Sequence, residues 1–272
     1  MADQPSVFFN CSMTGYLDLA DQRVFVEEYG GGEPLFLLHG GFVGAESWAE
    51  QVPVLSADYH VFVPERRGHG RTPDVPGPYT TAVMAAETAA VIQTLAQGPA
   101  HVAGWSDGAY VAAHLALHRP DLVRSVVLMG QALSRDGETE AVRALMHDPN
   151  LADYFRESYA RTSPDGPEHF DVVFDKIVTM WREPLEMPIA ELARITAPVL
   201  VMQGDDDSVR IEWSLALARA LPLGRLAVVP GTGHGAPLQR ADLVNRMILD
   251  FLADPRPQRL LPLGALHDVP AA

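Results

Sequence analysis

Residues 104–108 read Gly-Trp-Ser-Asp-Gly and match the pattern G-x-S-x-G. The pentapeptide follows an apolar run and precedes a helix-like segment, the setting in which a serine stands on a sharp strand-to-helix turn with its hydroxyl exposed. The flanking glycines let strand and helix approach closely, and a helix N-terminus favours a developing anion. The pattern predicts Ser106 as a nucleophile; the alternative is a glycine-rich turn with an N-capping serine.

A serine hydroxyl at neutral pH needs a positioned base, which a third group orients. His234 lies in a glycine-rich loop after an apolar run and is the predicted base. Three aspartates, 205–207, follow an earlier apolar run and could supply the acid, in the chain order serine, acid, histidine. The triplet has three other interpretations: a solvated turn, a helix cap formed by Asp207 or Ser208, or a divalent-cation site. The cation site is disfavoured because no further acidic ligands cluster nearby in sequence.

Backbone N–H groups are predicted to complete this chemistry. Residues 39–42, His-Gly-Gly-Phe, directly follow an apolar run. Such a turn can present N–H groups to the oxyanion of a tetrahedral intermediate, and losing one such donor typically raises the barrier by about 3–4 kcal/mol. We expect no cofactor: residues 231–236 fit a dinucleotide-binding pattern, but too little chain follows to build the required βαβ unit.

Composition limits the partners. The net charge is −15 and no Lys/Arg stripe occurs, so nucleic acid and anionic membranes are not expected to bind. Cys11 is the only cysteine, the N-terminus lacks a secretory pattern, and the longest uncharged stretch, 88–106, is interrupted by Gly98-Pro99. We therefore predict a cytoplasmic monomer or homodimer that acts on a small molecule, without metal. Arginine dominates the basic residues, with Lys176 the only lysine, which suggests a high-GC bacterial gene.

Apolar runs alternate with helical patterns along most of the chain. Strands that alternate with helices pair in parallel through right-handed crossovers, which predicts an α/β sheet covered on both faces. We predict strands over 16–19, 23–29, 34–38, 59–63, 100–103, 123–129, 198–203 and 225–229. We predict helices over 48–55, 81–95, 108–117, 138–146, 151–160, 168–181, 189–195, 212–221 and 241–252.

The alternation stops between residues 131 and 195, where only helical patterns occur. The chain is therefore predicted to form one core domain, 1–130 and 196–272, interrupted by a helical insertion over 131–195. An insertion of this size is typical of a functional lid and long for a loop.

From about residue 22 to 252 the chain resembles the α/β-hydrolase superfamily. The resemblance rests on the motifs at 39–42, 66–71, 104–108, 204–207 and 233–235. It implies the α/β-hydrolase fold, a mostly parallel central sheet with helices on both faces and a helical cap. It also implies Ser106 as nucleophile, His234 as base and Asp207 as acid. The N–H groups of Gly41 and Asp107 are the implied oxyanion hole, with Phe42 as the alternative first donor.

The insertion carries aromatic residues that could line a pocket or simply pack: Phe155, Tyr159, Phe170, Phe174 and Trp181. Phe42, Trp105 and Trp181 are the predicted pocket residues. An apolar, lidded pocket suits a small uncharged ester or lactone, and this predicts a serine esterase or lactonase with an acyl-enzyme. The same residues would serve a carbon–carbon bond hydrolase, an acyltransferase or perhydrolase, or a hydrolase-like receptor without turnover.

Overall fold

The computed structural model describes residues 11–183 and 186–255, which form an eight-stranded sheet flanked by helices. The strands are β1 (Cys11–Leu19), β2 (Gln22–Gly30), β3 (Glu33–Leu38), β4 (Tyr59–Pro64), β5 (Ala100–Trp105), β6 (Val123–Met129), β7 (Val199–Gly204) and β8 (Gly224–Val229). Their order across the sheet is β1-β2-β4-β3-β5-β6-β7-β8. β2 pairs antiparallel with β1 and β4, and all the other pairs are parallel. The predicted fold class is confirmed.

Helices cover both faces of this sheet. They are α1 (Val52–Leu55), α2 (Thr81–Leu95), α3 (Asp107–His118), α4 (Glu140–Leu145), α5 (Asp153–Thr162), α6 (Phe170–Arg182), α7 (Ile189–Leu192), α8 (Ile211–Ala220), α9 (Ala236–Gln239) and α10 (Ala241–Ala253). The core that includes α2, α3 and α8 lies on one face, and the core that includes α1 and α10 lies on the other. Within the described ranges, no helix is long and apolar enough to cross a membrane.

The central strands are largely apolar because both of their faces are buried. In β3, Leu35 and Leu37 belong to one core, whereas Phe36 and Leu38 belong to the other. Successive side chains of a strand point to opposite faces, so a two-sided sheet needs a continuous apolar run. Parallel pairing brings the carboxyl ends of β3, β5, β7 and β8 to one edge of the sheet.

Two local predictions differ from the structure. A single helix over residues 48–55 is wrong: a 3₁₀ turn, Ala45–Trp48, precedes the short α1. Pro53 lies in the first turn of α1 and has no N–H, so a helix that began at Trp48 would lose a hydrogen bond there. The short helix α9, directly after His234, was not predicted. By contrast, α2 begins at Thr81 as predicted, where the Thr80 hydroxyl caps the N–H of Val83.

Between β6 and β7 the described chain forms α4 to α7 and no regular strand, apart from a single bridge between Glu138 and Val209. We call residues 131–195 the insertion. The predicted domain boundaries also include residues 1–10 and 256–272, which lie outside the described residues, as does the segment assessed for a secretory signal.

A cluster of polar side chains fastens α6 to the loop after β4. Lys176 Nζ donates to both carboxylate oxygens of Asp74 at 2.7 Å, the Tyr79 hydroxyl donates to Asp74 at 2.6 Å, and His169 Nε2 lies 2.9 Å from it. We call these four residues the Asp74 cluster. Burial acts to raise the pKa of Asp74, but the hydrogen bonds from Lys176, Tyr79 and His169 outweigh it and bring the pKa below its ordinary value. The insertion is therefore tied to the core through an ionised carboxylate.

Candidate active site

Ser106 lies on a strained turn between β5 and α3. Its backbone has φ +54° and ψ −121°, a conformation that side chains rarely adopt. Glycines on either side allow the close approach: a Cβ at Gly104 would collide with the backbone of Gly108, and one at Gly108 with the backbone of Leu38. The Ser106 N–H donates to the carbonyl of Met129 at 2.9 Å, which holds the turn against β6. This is the geometry that the pentapeptide pattern predicts.

His234 joins Ser106 to Asp207. Its Nε2 lies 3.0 Å from the Ser106 hydroxyl and its Nδ1 lies 2.9 Å from Oδ1 of Asp207. A carboxylate only accepts, so Nδ1 carries the proton and Nε2 is free to accept from the hydroxyl. The Ser208 hydroxyl also lies 3.2 Å from Nδ1 and donates to Asp207. The structure thus brings the three predicted residues together from loops after β5, β7 and β8.

Asp207 is the one member of the acidic triplet in contact with His234. Its side chain is 1% exposed, and its oxygens accept the N–H groups of Ser208 at 2.6 Å and Gly204 at 3.3 Å. Burial acts to raise the pKa of Asp207, but the hydrogen bond and charge of His234 and these N–H groups bring it below its ordinary value. The helix-cap interpretation of Asp207 and Ser208 is wrong, since α8 begins after Arg210 without a side-chain cap.

The predicted oxyanion donors lie beside the serine. A Cβ at Gly40 would be 3.4 Å from the Cβ of Ser106, so the turn after β3 passes close to the hydroxyl. Among the described residues, the N–H groups of Gly41, Phe42 and Asp107 have no hydrogen-bond partner. Asp107 is the first residue of α3, where backbone N–H groups point out of the helix. These groups are available to stabilise an oxyanion.

Phe42 occupies a different place from the one predicted. Its φ is +58°, and its side chain is 4% exposed in a cluster of rings rather than in the cavity wall. The ring centroid lies 4.5 Å from that of Phe155, 5.6 Å from Phe174 and 5.4 Å from Trp181. Its prediction as a pocket residue is therefore corrected: the ring fastens the turn after β3 to the insertion.

Trp181 brings the insertion into contact with both predicted donor residues. A Cβ at Gly41 would collide with the indole ring, which leaves no room for a side chain there. The indole Nε1 donates to the carboxylate of Asp107, which is itself 6% exposed. Burial raises the pKa of Asp107, although Arg66, the Trp181 hydrogen bond and His234 act in the opposite direction.

Ser106, His234 and Asp207 border a cavity of about 820 Å³, which residues of the insertion also line. Trp105 and Trp181 line it too. The lining residues of the insertion include apolar side chains (Val142, Met146, Leu151, Phe155 and Met180) and charged ones (Arg135, Glu138, Arg143 and Arg182). Trp105 also donates its indole N–H to the carbonyl of His234 at 2.8 Å, which positions the histidine loop.

Other aromatic residues of the insertion pack instead of facing the cavity. Tyr159, Phe170 and Phe174 are not among the described cavity-lining residues, and the rings of Tyr159 and Phe170 lie 5.5 Å apart. In the described ranges, no group of three His, Cys, Asp or Glu side chains is placed to hold a metal ion.

Sequence reasoning did not single out Arg66, which is 4% exposed and lines the cavity. It reads as one of three arginines in a loop that follows a strand, and loop arginines are usually solvated. A signal was nevertheless present: the loop begins directly after β4, beside the predicted oxyanion turn in a parallel sheet. No feature of the sequence indicated the contact of Trp181 with Asp107.

The chain is similar to known proteins over most of its length. The sequence profile of the alpha/beta hydrolase family matches residues 35–247. The protein named "Putative carbamate hydrolase RutD" from Stutzerimonas stutzeri is 30% identical over 246 residues, which cover 81% of this chain and 92% of the relative. A 2-hydroxy-6-oxo-6-phenylhexa-2,4-dienoate hydrolase from Burkholderia cepacia is 28% identical over 269 residues, 87% of this chain and 93% of the relative.

Among solved structures, a meta-cleavage product hydrolase from Pseudomonas fluorescens (CumD) superposes with a TM-score of 0.75. The match covers 88% of this chain and 97% of that protein at 24% sequence identity. At this identity the likeness concerns the fold alone.

Proposed function

The chain belongs to the alpha/beta hydrolase family, and we propose that it hydrolyses small, largely apolar esters or lactones through an acyl-enzyme on Ser106. One observation carries the proposal: the continuous hydrogen-bond chain from the Ser106 hydroxyl through His234 to Asp207, at 3.0 and 2.9 Å, opens into a cavity. A nucleophile, a base and an orienting acid within bonding distance are the groups that acyl transfer requires.

In the proposed reaction, the Ser106 oxygen attacks the substrate carbonyl while its proton passes to Nε2 of His234. Asp207 stabilises the imidazolium that forms, and the N–H groups of Gly41 and Asp107 bind the oxyanion, with Phe42 as the alternative first donor. The imidazolium then protonates the leaving oxygen, and the acyl group remains on Ser106. Water deprotonated by His234 releases the acid and restores the hydroxyl.

The cavity supports a small and largely apolar substrate. Its volume of about 820 Å³ suits a small molecule rather than a polymer, and many of the insertion side chains that line it are apolar. We propose that the insertion is a cap over the site, because Trp181 and Phe155 contribute to the cavity wall while Asp74 fastens α6 to the core. Residues 1–130 and 196–272 would then be the core domain and 131–195 the cap.

The relatives support acyl chemistry more broadly than ester cleavage. The first is named for a carbamate, whose carbonyl is open to the same attack. A second candidate keeps Ser106, His234 and Asp207 but cleaves a carbon–carbon bond beside a ketone. The observation that favours it is the relative whose name places a 6-oxo group on a dienoate.

Covalent labelling tests the nucleophile. A fluorophosphonate probe should label the folded protein, with mass spectrometry locating the adduct on Ser106, and Ser106→Ala should remain unlabelled. Ser208→Ala is the matched control, since this second serine lies 3.2 Å from the same histidine nitrogen and should not be required for labelling. A folded wild-type protein without an adduct on Ser106 would overturn the proposal.

A panel of substrates tests which kind of bond the protein cleaves. We expect release of p-nitrophenol from short-chain esters and ring opening of uncharged lactones, with product masses that show addition of one water. Turnover of 6-oxo dienoates without ester turnover would favour the second candidate. Transfer to peroxide or to an alcohol would favour an acyltransferase, and tight binding without turnover, equal in Ser106→Ala, would favour a receptor.

A further inference from the structure

Arg66 is a buried cation without a carboxylate hydrogen-bonded to it. The side chain is 4% exposed, and its Nε and Nη1 have no hydrogen-bond partner among the described residues. Burial lowers the pKa of Arg66 to about 10, so the guanidinium is still charged at neutral pH. A buried charge that lacks a directly bonded counterion is costly to the fold. The neighbouring Arg67, by contrast, pairs with the carboxylate of Glu87 in the usual way.

The side-chain hydrogen bonds that Arg66 makes are to the turn that carries the predicted oxyanion donor Gly41. Its Nη2 donates to the carbonyl oxygens of His39 at 2.5 Å and Gly40 at 2.9 Å. The ring of His39 is a second donor to Gly40, with Nδ1 at 2.7 Å from the same oxygen. This tautomer follows from Nε2 of His39, which accepts the backbone N–H of Arg66 at 3.0 Å. Burial holds the pKa of His39 well below its ordinary value, so the ring stays neutral.

These two donors act on a single peptide group. The carbonyl of Gly40 and the N–H of Gly41 belong to the same amide, whose electrons are delocalised. A charged donor on the oxygen polarises the amide and makes its N–H a stronger donor, as in other cooperative hydrogen-bond chains. The two bonds also fix the plane of the amide, and with it the direction in which the Gly41 N–H points.

The positive charge of Arg66 also acts on the carboxylate of Asp107. The carboxylate of Asp107 lies close to Gly41, the other predicted donor residue: a Cβ at Gly41 would be 2.7 Å from Oδ2 of Asp107. A negative charge so close to a developing oxyanion would oppose it. The positive charge of Arg66 attracts this carboxylate without a hydrogen bond to it and thereby acts to lower the pKa of Asp107.

We propose that Arg66 is a positioning residue of the hydrolase reaction, which orients and polarises the Gly40–Gly41 peptide and offsets the negative charge of Asp107 at the oxyanion site. The proposal rests on the function proposed above. It concerns transition-state stabilisation only, so it requires no contact between Arg66 and the substrate.

Three substitutions separate the charge from the hydrogen bonds. Arg66→Lys keeps a charged donor, Arg66→Gln keeps a neutral donor, and Arg66→Met keeps neither. The readouts are kcat and KM for p-nitrophenyl butyrate and inhibition by butylboronic acid, whose adduct on a serine is tetrahedral and anionic. Arg67→Met is the matched control, since that arginine lies in the same loop, pairs with Glu87 and does not line the described cavity.

We expect Arg66→Met to lower kcat about 10- to 100-fold, somewhat less than the loss of a whole oxyanion donor, and to weaken boronate inhibition by a similar factor. KM should change little because the ground-state ester carries no oxyanion. Arg66→Lys should recover most of both losses and Arg66→Gln less. Arg67→Met should lower the melting temperature and leave kcat and boronate inhibition at the wild-type level.

Wild-type kcat and boronate inhibition in folded Arg66→Met would overturn the proposal. If that variant does not fold, the Lys and Gln variants decide: the proposal requires higher kcat and tighter boronate binding with Lys, and equal values overturn it. Failure of the proposed function would appear in the wild-type protein, as absent labelling of Ser106, and would overturn both. Failure of this inference alone would appear only in the variants of a wild type that is labelled.

Discussion

The indole Nε1 of Trp181 donates to both carboxylate oxygens of Asp107, at 2.9 and 2.8 Å. Trp181 stands near the end of α6 in the insertion, and Asp107 opens the helix that follows Ser106. The insertion is therefore bonded directly to the turn that carries the proposed nucleophile. Removal of this bond should affect the reaction as well as the attachment of the insertion.

We predict that Trp181→Phe lowers kcat/KM about tenfold. The ring keeps its place against Gly41, but Asp107 loses its donor, and a hydrogen bond to a charged group contributes about 1.5–3 kcal/mol. Steady-state kinetics on p-nitrophenyl esters measure the effect. Trp213→Phe serves as control, since that indole donates to the carbonyl of Ala132 and does not line the described cavity. An equal loss in both variants would point to general destabilisation.

Gly41→Ala should reduce kcat at least tenfold. The new Cβ would collide with the Trp181 ring and approach Oδ2 of Asp107, so the turn that carries the proposed donor must move. Adding Trp181→Ala should restore part of the loss, which a double-mutant cycle of kcat measures. Gly31→Ala is the control because a Cβ there meets nothing within 4 Å. Strict additivity of Gly41→Ala and Trp181→Ala would contradict the predicted collision.

Asp207→Asn should lower kcat by about 10⁴-fold with little change in KM. An amide at this position cannot stabilise the imidazolium and favours the wrong tautomer of His234. Asp205→Asn, in the same triplet but bonded to the Thr232 N–H instead of the histidine, should retain near wild-type activity. Kinetics of both purified variants test the assignment, and comparable losses would remove Asp207 from the proposed triad.

Asp74→Asn should loosen the insertion. Ionised Asp74 accepts from Lys176, Tyr79 and His169, and its pKa lies below the ordinary value of 3.8. The stabilisation is therefore complete above the pKa of the unfolded chain and is lost as the pH falls through the lower, folded pKa. Limited proteolysis at pH 7 should cleave the insertion faster in the variant, whereas below the folded pKa of Asp74 the two proteins should converge. Asp171→Asn, at an exposed position on α6, is the control.

His69 should make the fold sensitive to acid. Its side chain is 1% exposed, and burial, followed by the charge of Arg66, lowers its pKa from 6.5 to about 3. Between these values the unfolded chain binds a proton that the folded protein does not. Stability should therefore fall with falling pH, by up to about 1.4 kcal/mol per pH unit for this residue.

Urea unfolding from pH 7 to pH 4 measures this dependence. His69→Phe should show a shallower loss of unfolding free energy than the wild type, even if its stability at pH 7 is lower. The exposed His118→Gln variant controls for the general effect of removing a histidine. A parallel decline in wild type and His69→Phe would show that other groups cause the acid sensitivity.

The contacts of Ser106, Asp207 and His234 were predictable because each follows a strand, and parallel strands end at one edge of the sheet. The central strands were also predictable to within a few residues, because two-sided burial leaves largely apolar runs in β3, β5 and β7. The registers of the strands then set the distances between the loops.

The contacts around the site were harder to predict from the sequence. The bond between Trp181 and Asp107 joins residues 74 positions apart and depends on how α6 packs against the core, which no local pattern encodes. Phe42 was expected to face the cavity, but its positive φ directs the ring into the aromatic cluster. Arg66 looked like a solvated loop arginine because burial of an unpaired charge contradicts the usual preference.

The positive φ of Ser106 places backbone strain at the proposed nucleophile. Holding a non-glycine residue there costs about 1–3 kcal/mol, which the rest of the core must offset. Ser106→Gly would relieve that strain while removing the nucleophile, so the best-folded version of this turn is an inert one. Thermal stability is then a poor guide for engineering this region. Selection for a higher melting temperature alone would favour replacing the proposed nucleophile.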